Sequence, residues 1–188
     1  MGKLYFTRHG ETETNVKKLV CGNCETNLTE NGLAQANALG KEIKAKIDSG
    51  KIHIDQILCS PLSRARITAE HISKITGIPL TIEELLVERN FGSFEWKSRE
   101  SPEFKKSLQS FALSFGREEG GESYLKVAQR IYNLLDSLTK SPENKEKTFL
   151  LVAHNGLSRI IQSYFYDMTN EDFAAFGITN CQLLEFEF

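Results

Sequence analysis

Two apolar runs in this chain end in a histidine: Leu4-Tyr5-Phe6 leads through Thr7 into Arg8-His9-Gly10, and Phe149-Leu150-Leu151-Val152-Ala153 leads into His154-Asn155-Gly156. A neutral imidazole is a competent nucleophile, and a neighbouring guanidinium favours the neutral form by disfavouring a second positive charge. His9 is therefore the candidate nucleophile, and Arg8 offers a planar fork matched to phosphate or carboxylate. Gly10 lets the chain turn and approach a ligand closely. Arg64 follows Ser60-Pro61-Leu62-Ser63 at the start of a helical pattern, where free N–H groups and the helix dipole already favour anions. Arg66 lies about 200° further round that helix and reads as a solvated or ion-paired residue, with His71 structural. Two imidazoles and two guanidiniums at equivalent edges match a dianionic phosphate. Ester hydrolysis further needs a group that protonates the leaving alcohol and then deprotonates water. Glu83, Glu84, Glu88 and Glu95 all offer such a carboxyl group.

The elements that must position these groups alternate between strand and helix. Leu4–Phe6, Asp55–Cys59 and Thr148–Ala153 read as strands buried on both faces, as in a parallel sheet whose carboxyl edge holds the ligand. Residues 13–27 read as a polar loop, with Asn15 near enough to return its amide to the site. A helix is expected from Thr29, its N-cap, to Ser49-Gly50, burying Leu33, Ala36, Gly40, Ile43 and Ile47. The Arg64 helix should end at Gly77, with a short strand at Ile78–Ile82. The segment from Glu83 to Trp96 reads as a loop lining a pocket, where Phe91, Phe94 and Trp96 either stack on a ligand or pack the loop. Phe104, Leu108, Phe111 and Phe115 repeat at helical spacing, and Tyr124–Leu138 marks a long amphipathic helix. A helix is expected from Leu157 to Tyr166, and Leu184, Phe186 and Phe188 alternate in a marginal last strand.

With 188 residues, 40% of them hydrophobic and 26% charged, the chain suits one globular domain, 1–188, with about 97–122 as a lid or cap-like insertion. A formal charge of -2 gives no global attraction for nucleic acid or an anionic membrane. The expectation is a small-molecule substrate, no nucleic-acid or membrane partner, a monomer or homodimer, and a cytoplasmic location, since no apolar run approaches the roughly 20 residues of a membrane helix and the amino terminus shows no signal-peptide pattern. The four cysteines do not make a secreted disulfide framework. Cys21-Gly22-Asn23-Cys24 is nevertheless a C-x-x-C. It lacks the second ligand pair of a zinc site, and reads either as small loop residues or as a redox pair gating the pocket.

The residues resemble the histidine phosphatase superfamily, in its phosphoglycerate-mutase-like branch, over nearly the whole chain. Thr7-Arg8-His9-Gly10-Glu11-Thr12 is similar to its signature, Leu28-Thr29-Glu30 with Gly32 and Gln35-Ala36 to its first-helix pattern, and Ser60-Pro61-Leu62-Ser63-Arg64-Ala65 with Thr68-Ala69 to its second-arginine motif. Glu88 with Phe91-Gly92 and Glu95 resembles the segment carrying its acid, and Gly120-Gly121-Glu122-Ser123 and Val152-Ala153-His154 resemble two further blocks. The resemblance implies a three-layer α/β/α fold with a mainly parallel central sheet and no metal or other cofactor. It implies His9 as the phosphorylated nucleophile and Glu88, among the four carboxylates, as acid and base. Arg8, Arg64, Asn15 and the N–H of Asn155 would bind phosphate, and His154 would help hold the phosphoryl group. The activity implied is a phosphomonoesterase acting on a small phosphorylated metabolite through a phosphohistidine.

Departures bear on the substrate. Many relatives carry an arginine where this chain has Leu19, Val20 and Cys21, so a cationic contact is expected to be missing; a common glycine is Trp96, and a common proline is Glu119. The alternatives are a phosphoglycerate-type mutase, disfavoured by the short interval from Glu88 to His154, and a non-catalytic phosphate- or partner-binding module of the same fold. Metal-dependent chemistry is disfavoured because the four histidines show no ligand spacing.

Overall fold

The computed structural model describes residues 2–108, 116–117 and 119–188. Five strands, β1 (Lys3–Arg8), β2 (Gln56–Cys59), β3 (Leu80–Ile82), β4 (Phe149–Ala153) and β5 (Leu183–Glu187), form one sheet in the order β3-β2-β4-β1-β5. The first four run parallel, and β5 closes the margin antiparallel to β1. Around the sheet lie, among the described residues, the helices α1 (Glu13–Val16), α2 (Glu30–Asp48), α3 (Ser63–Thr76), α4 (Pro102–Leu108), α5 (Tyr124–Thr139), α6 (Asn155–Phe165) and α7 (Asn170–Ala175).

Successive strand side chains point to opposite faces, and here both faces are covered. Tyr5, Ile57, Leu150 and Val152 pack with Leu39 and Ile43 of α2 and Ala65, Ala69 and Ile72 of α3. Leu4, Phe6, Leu58 and Leu151 pack with Val127, Ile131 and Leu135 of α5 and Leu157, Ile160 and Ile161 of α6. This is the three-layer α/β/α arrangement with a mainly parallel sheet. Burial of each such side chain contributes on the order of 1.5–3 kcal/mol. The helix starts are set by hydroxyls: Thr29 accepts from the N–H of Gly32 at 3.0 Å, and Ser123 from that of Lys126 at 3.3 Å. Gly77, at φ 79°, ends α3.

Several expectations change. Residues 13–27 are not all loop, because Thr12 and Asn15 form a reciprocal capping box that winds α1. In α2 the buried set includes Gly32 and Leu39, while Leu33 and Ile47 stay half-buried. Helix α6 begins at Asn155, two residues before Leu157, which brings Asn155 into its first turn. Helix α7 was not anticipated. Phe111 and Phe115, and part of the expected insertion at 97–122, lie outside the described residues.

Candidate active site

The parallel register pairs Arg8 with Ala153, so the residues that follow, His9 and His154, leave the sheet side by side. Their ring centroids are 5.3 Å apart. His9 is 5% exposed, and its Nδ1 lies 2.7 Å from the carbonyl oxygen of Gly10. A carbonyl only accepts, so Nδ1 carries the proton and Nε2 keeps its lone pair. Both imidazoles are held well below the usual histidine pKa, so they stay neutral. The sequence suggested neighbouring guanidiniums as the cause, but burial is the larger effect; Arg64 comes second for both rings.

A cavity of about 20 Å³ at this edge is lined by Arg8, His9, Asn15, Arg64, Glu88 and Asn155, together with Cys21 and Arg99. Six of the seven residues singled out from the sequence thus share one wall. His154 stands behind them, 1% exposed, with Nε2 2.7 Å from the Ser60 hydroxyl and Nδ1 unpartnered among the described residues. Arg8 gives one Nη hydrogen bond to the Ile178 carbonyl at 3.0 Å and leaves Nε unpartnered. Burial first, then Arg99, lowers its pKa to about 10, which keeps it charged at neutral pH. Arg64 is 1% exposed and donates to the carbonyls of Cys24 at 2.6 Å and Gly22 at 2.7 Å. Asn15 accepts through Oδ1 from Thr12 N–H and from Asn180, which leaves its amide N–H₂ to donate. The N–H of Asn155 belongs to the first turn of α6, where no intrahelical acceptor exists.

Of the four carboxylates left open by composition, only Glu88 lines the cavity. It accepts from the N–H groups of Arg89 at 2.8 Å and Gly156 at 2.9 Å. A Cβ at Gly156 would stand 2.5 Å from a Glu88 oxygen, so the glycine is what admits this carboxylate to the helix start. Arg89, 3% exposed and 4.1 Å above the Tyr124 ring, anchors the segment. Glu83 caps the turn at Glu84–Leu86, Glu84 is exposed, and Glu95 receives N–H groups of the Cys21–Cys24 loop.

Gly10 does not serve as a left-handed turn; it is needed because a Cβ there would lie 2.4 Å from the Gly32 carbonyl. Arg66 pairs with Glu70 on the surface and His71 meets Asn37, both away from the site. Phe91 and Phe94 pack edge-on to Phe104, while Trp96 is exposed. Trp96 also has φ 67°, a left-handed conformation that glycine adopts more readily than tryptophan.

Sequence reasoning missed four contributors. Arg99 reaches the cavity from the far side of the Leu19–Ser98 bridge, donating to the Leu19 carbonyl at 2.7 Å. A third guanidinium therefore sits at the mouth where a cationic contact was expected to be missing. Ser60 holds His154, and its place at the end of β2 was the available signal. Thr68 accepts from the N–H of Gly10 at 3.1 Å, and Asn180 donates to the carbonyl of His9 at 2.8 Å; Thr68 belongs to the second-arginine motif, though with no role read for it, while Asn180 sits in no pattern pointing to the site.

Residues 4–188 match the model of the histidine phosphatase superfamily, branch 1. The chain belongs to this superfamily. A relative from Erwinia tasmaniensis, named probable phosphoglycerate mutase GpmB, is 30% identical over 187 residues, 97% of this chain and 83% of its own length. Bacillus stearothermophilus YhfR superposes with a TM-score of 0.84 at 26% identity, covering 100% of this chain and 91% of that one. The native mycobacterial glucosyl-3-phosphoglycerate phosphatase superposes with a TM-score of 0.79 at 25% identity, covering 98% of this chain and 89% of that one. Similar proteins thus carry both mutase and phosphatase names.

Proposed function

We propose that this histidine phosphatase is a phosphomonoesterase for a small metabolite, working through a phosphohistidine and without a metal. One observation carries the reading: the Nδ1–H of His9 is tied to the Gly10 carbonyl, so the buried, neutral ring offers the Nε2 lone pair beside two guanidiniums. In this mechanism Nε2 attacks phosphorus while Arg8, Arg64, the Asn15 amide and the Asn155 N–H stabilise charge on the phosphoryl oxygens. Glu88 acts as the general acid and gives a proton to the leaving oxygen. The resulting carboxylate then takes a proton from water, which attacks phosphorus, releases phosphate and restores the imidazole.

The leaving group is directed into an adjoining cavity of about 190 Å³, whose lining includes Glu88, Phe91, Phe104, Tyr124, Arg99 and Arg159. No carboxylate among the described residues lies within 4.0 Å of Arg99 or Arg159. That chemistry suits an alcohol with an apolar body and an anionic group of its own. A mutase would return the phosphoryl group to such an alcohol, and the name of the Erwinia relative keeps that comparison relevant.

The test is phosphate release from an aryl phosphate in excess chelator, wild type against His9→Ala. The expected outcome is turnover by wild type and a loss of at least about 10³-fold in the variant. Chelator-sensitive turnover, an active His9→Ala, or phosphoryl transfer to an acceptor alcohol in place of release would overturn the proposal.

A further inference from the structure

The mechanism leaves Cys21-Gly22-Asn23-Cys24 unused. Both thiols are free and half-buried, with Sγ atoms 2.7 Å apart, roughly 0.7 Å beyond bonding distance. Cys21 lines the phosphate cavity, while the Cys24 thiol points to Glu95 at 3.5 Å. Glu95 accepts from the N–H groups of Gly22 at 2.8 Å, Asn23 at 3.2 Å and Phe91 at 2.9 Å, which holds the loop in the shape that brings the sulfurs together. The carbonyls of the same loop receive both Nη groups of Arg64. The two thiols are also inequivalent. The hydrogen bond with Cys24, helped by Arg64 and opposed by burial, lowers Cys21 to about 7; the same hydrogen bond, then burial, pushes Cys24 up.

We propose that Cys21 and Cys24 are a reversible oxidation site, closed to a disulfide by a hydroperoxide, and that closure tightens phosphate binding at Arg64. The Cys21 thiolate attacks the terminal peroxide oxygen and breaks the O–O bond, giving a Cys21 sulfenic acid and hydroxide, which takes up a proton. Cys24 then attacks that sulfur, its proton passing by way of Glu95, and expels hydroxide as a second water. Two thiols lose two electrons, and one hydrogen peroxide becomes two waters. In the reduced protein the thiolate shares the cavity with the phosphate dianion and competes for Arg64. A disulfide is neutral and removes that competitor. The thiol chemistry stands by itself; the coupling rests on the phosphate reading above.

The test treats the whole protein with equimolar hydrogen peroxide, blocks remaining thiols with iodoacetamide, and maps the peptides by mass. The expected result is a Cys21–Cys24 peptide lighter by two hydrogens, unalkylated and restored by dithiothreitol, with Cys24→Ser stopping at a dimedone-trapped Cys21 sulfenic acid. Full alkylation of both cysteines after peroxide, or no trapped sulfenic acid in Cys24→Ser, overturns the site. Titration calorimetry with inorganic phosphate should then give a Kd about threefold lower for the oxidised protein, with no change on treatment in the Cys21→Ser, Cys24→Ser double variant. An equal or higher Kd after oxidation overturns the coupling. A disulfide that closes in a protein binding phosphate in neither state supports the thiol chemistry and places the failure in the phosphate reading.

Discussion

Arg99 illustrates how a single side chain can change the expected substrate. Its Nε is fixed by the Leu19 carbonyl at 2.7 Å, and its guanidinium lines both the phosphate cavity and the leaving-group cavity. A charge-assisted hydrogen bond contributes roughly 1.5–3 kcal/mol, about a tenfold effect or more on kcat/KM. Replacing Arg99 by Met should therefore lower the preference for carboxyphenyl phosphate over phenyl phosphate by about tenfold. The ratio of the two kcat/KM values reads this directly, and an unchanged ratio would remove Arg99 from substrate selection. His9 makes a related point. Its Nδ1 proton is held by a contact with the carbonyl of the very next residue, so the tautomer of this imidazole is a local property of the His9-Gly10 pair.

At the scale of elements, β1, β2 and β4 end at one edge, and the starts of α3 and α6 follow immediately. Strand-to-helix junctions therefore supply Arg64, His154 and Asn155 without long loops. Glu88 depends on the start of α6, through the Gly156 N–H and the absence of a Cβ there. Gly156→Ala favours the helix by intrinsic propensity yet forces the carboxylate away. The expected result is unchanged far-UV circular dichroism with kcat reduced on the order of 10²–10⁴-fold for alkyl phosphates, whose leaving group needs a proton. Aryl phosphates with acidic leaving groups should lose less. Equal losses for both would mean that Gly156 acts on something other than the proton donor.

The whole molecule carries two neutral histidines in its interior, and that shapes its stability against pH. Burial first, with Arg64 next, holds His9 and His154 well below 6.5 when folded, while unfolded histidines titrate near 6.5. Below that pH the unfolded chain binds protons that the folded one does not, so this contribution is present above about 6.5 and is lost as pH falls. Each histidine can contribute up to about 1.4 kcal/mol per pH unit of that fall. Urea midpoints at pH 7 and pH 5.5 should differ accordingly, with the lower value at pH 5.5. Equal midpoints would show that the rings are not held neutral.

The layered α/β fold was legible from sequence alone, since the apolar runs at β1, β2 and β4 and the helical spacing of α2 and α5 are local periodicities that burial on one or both faces requires. The sequence also placed Arg8, His9, Arg64 and His154 at one edge of the sheet, because they stand at or shortly after the ends of those runs. Glu88 was legible only through resemblance; four carboxylates share its neighbourhood, and it is packing against α6 that brings Glu88 alone to the cavity. Helix α1 escaped because its capping box, Thr12 with Asn15, is only two side chains in an otherwise polar stretch. Arg99, Asn180 and the approach of Cys21 to Cys24 depend on chain segments meeting across the fold: Leu19 against Ser98, Asn180 beneath His9, and Glu95 against the cysteine loop. Such meetings leave no period in the sequence. They arise when the packed sheet and helices fix where each loop must run.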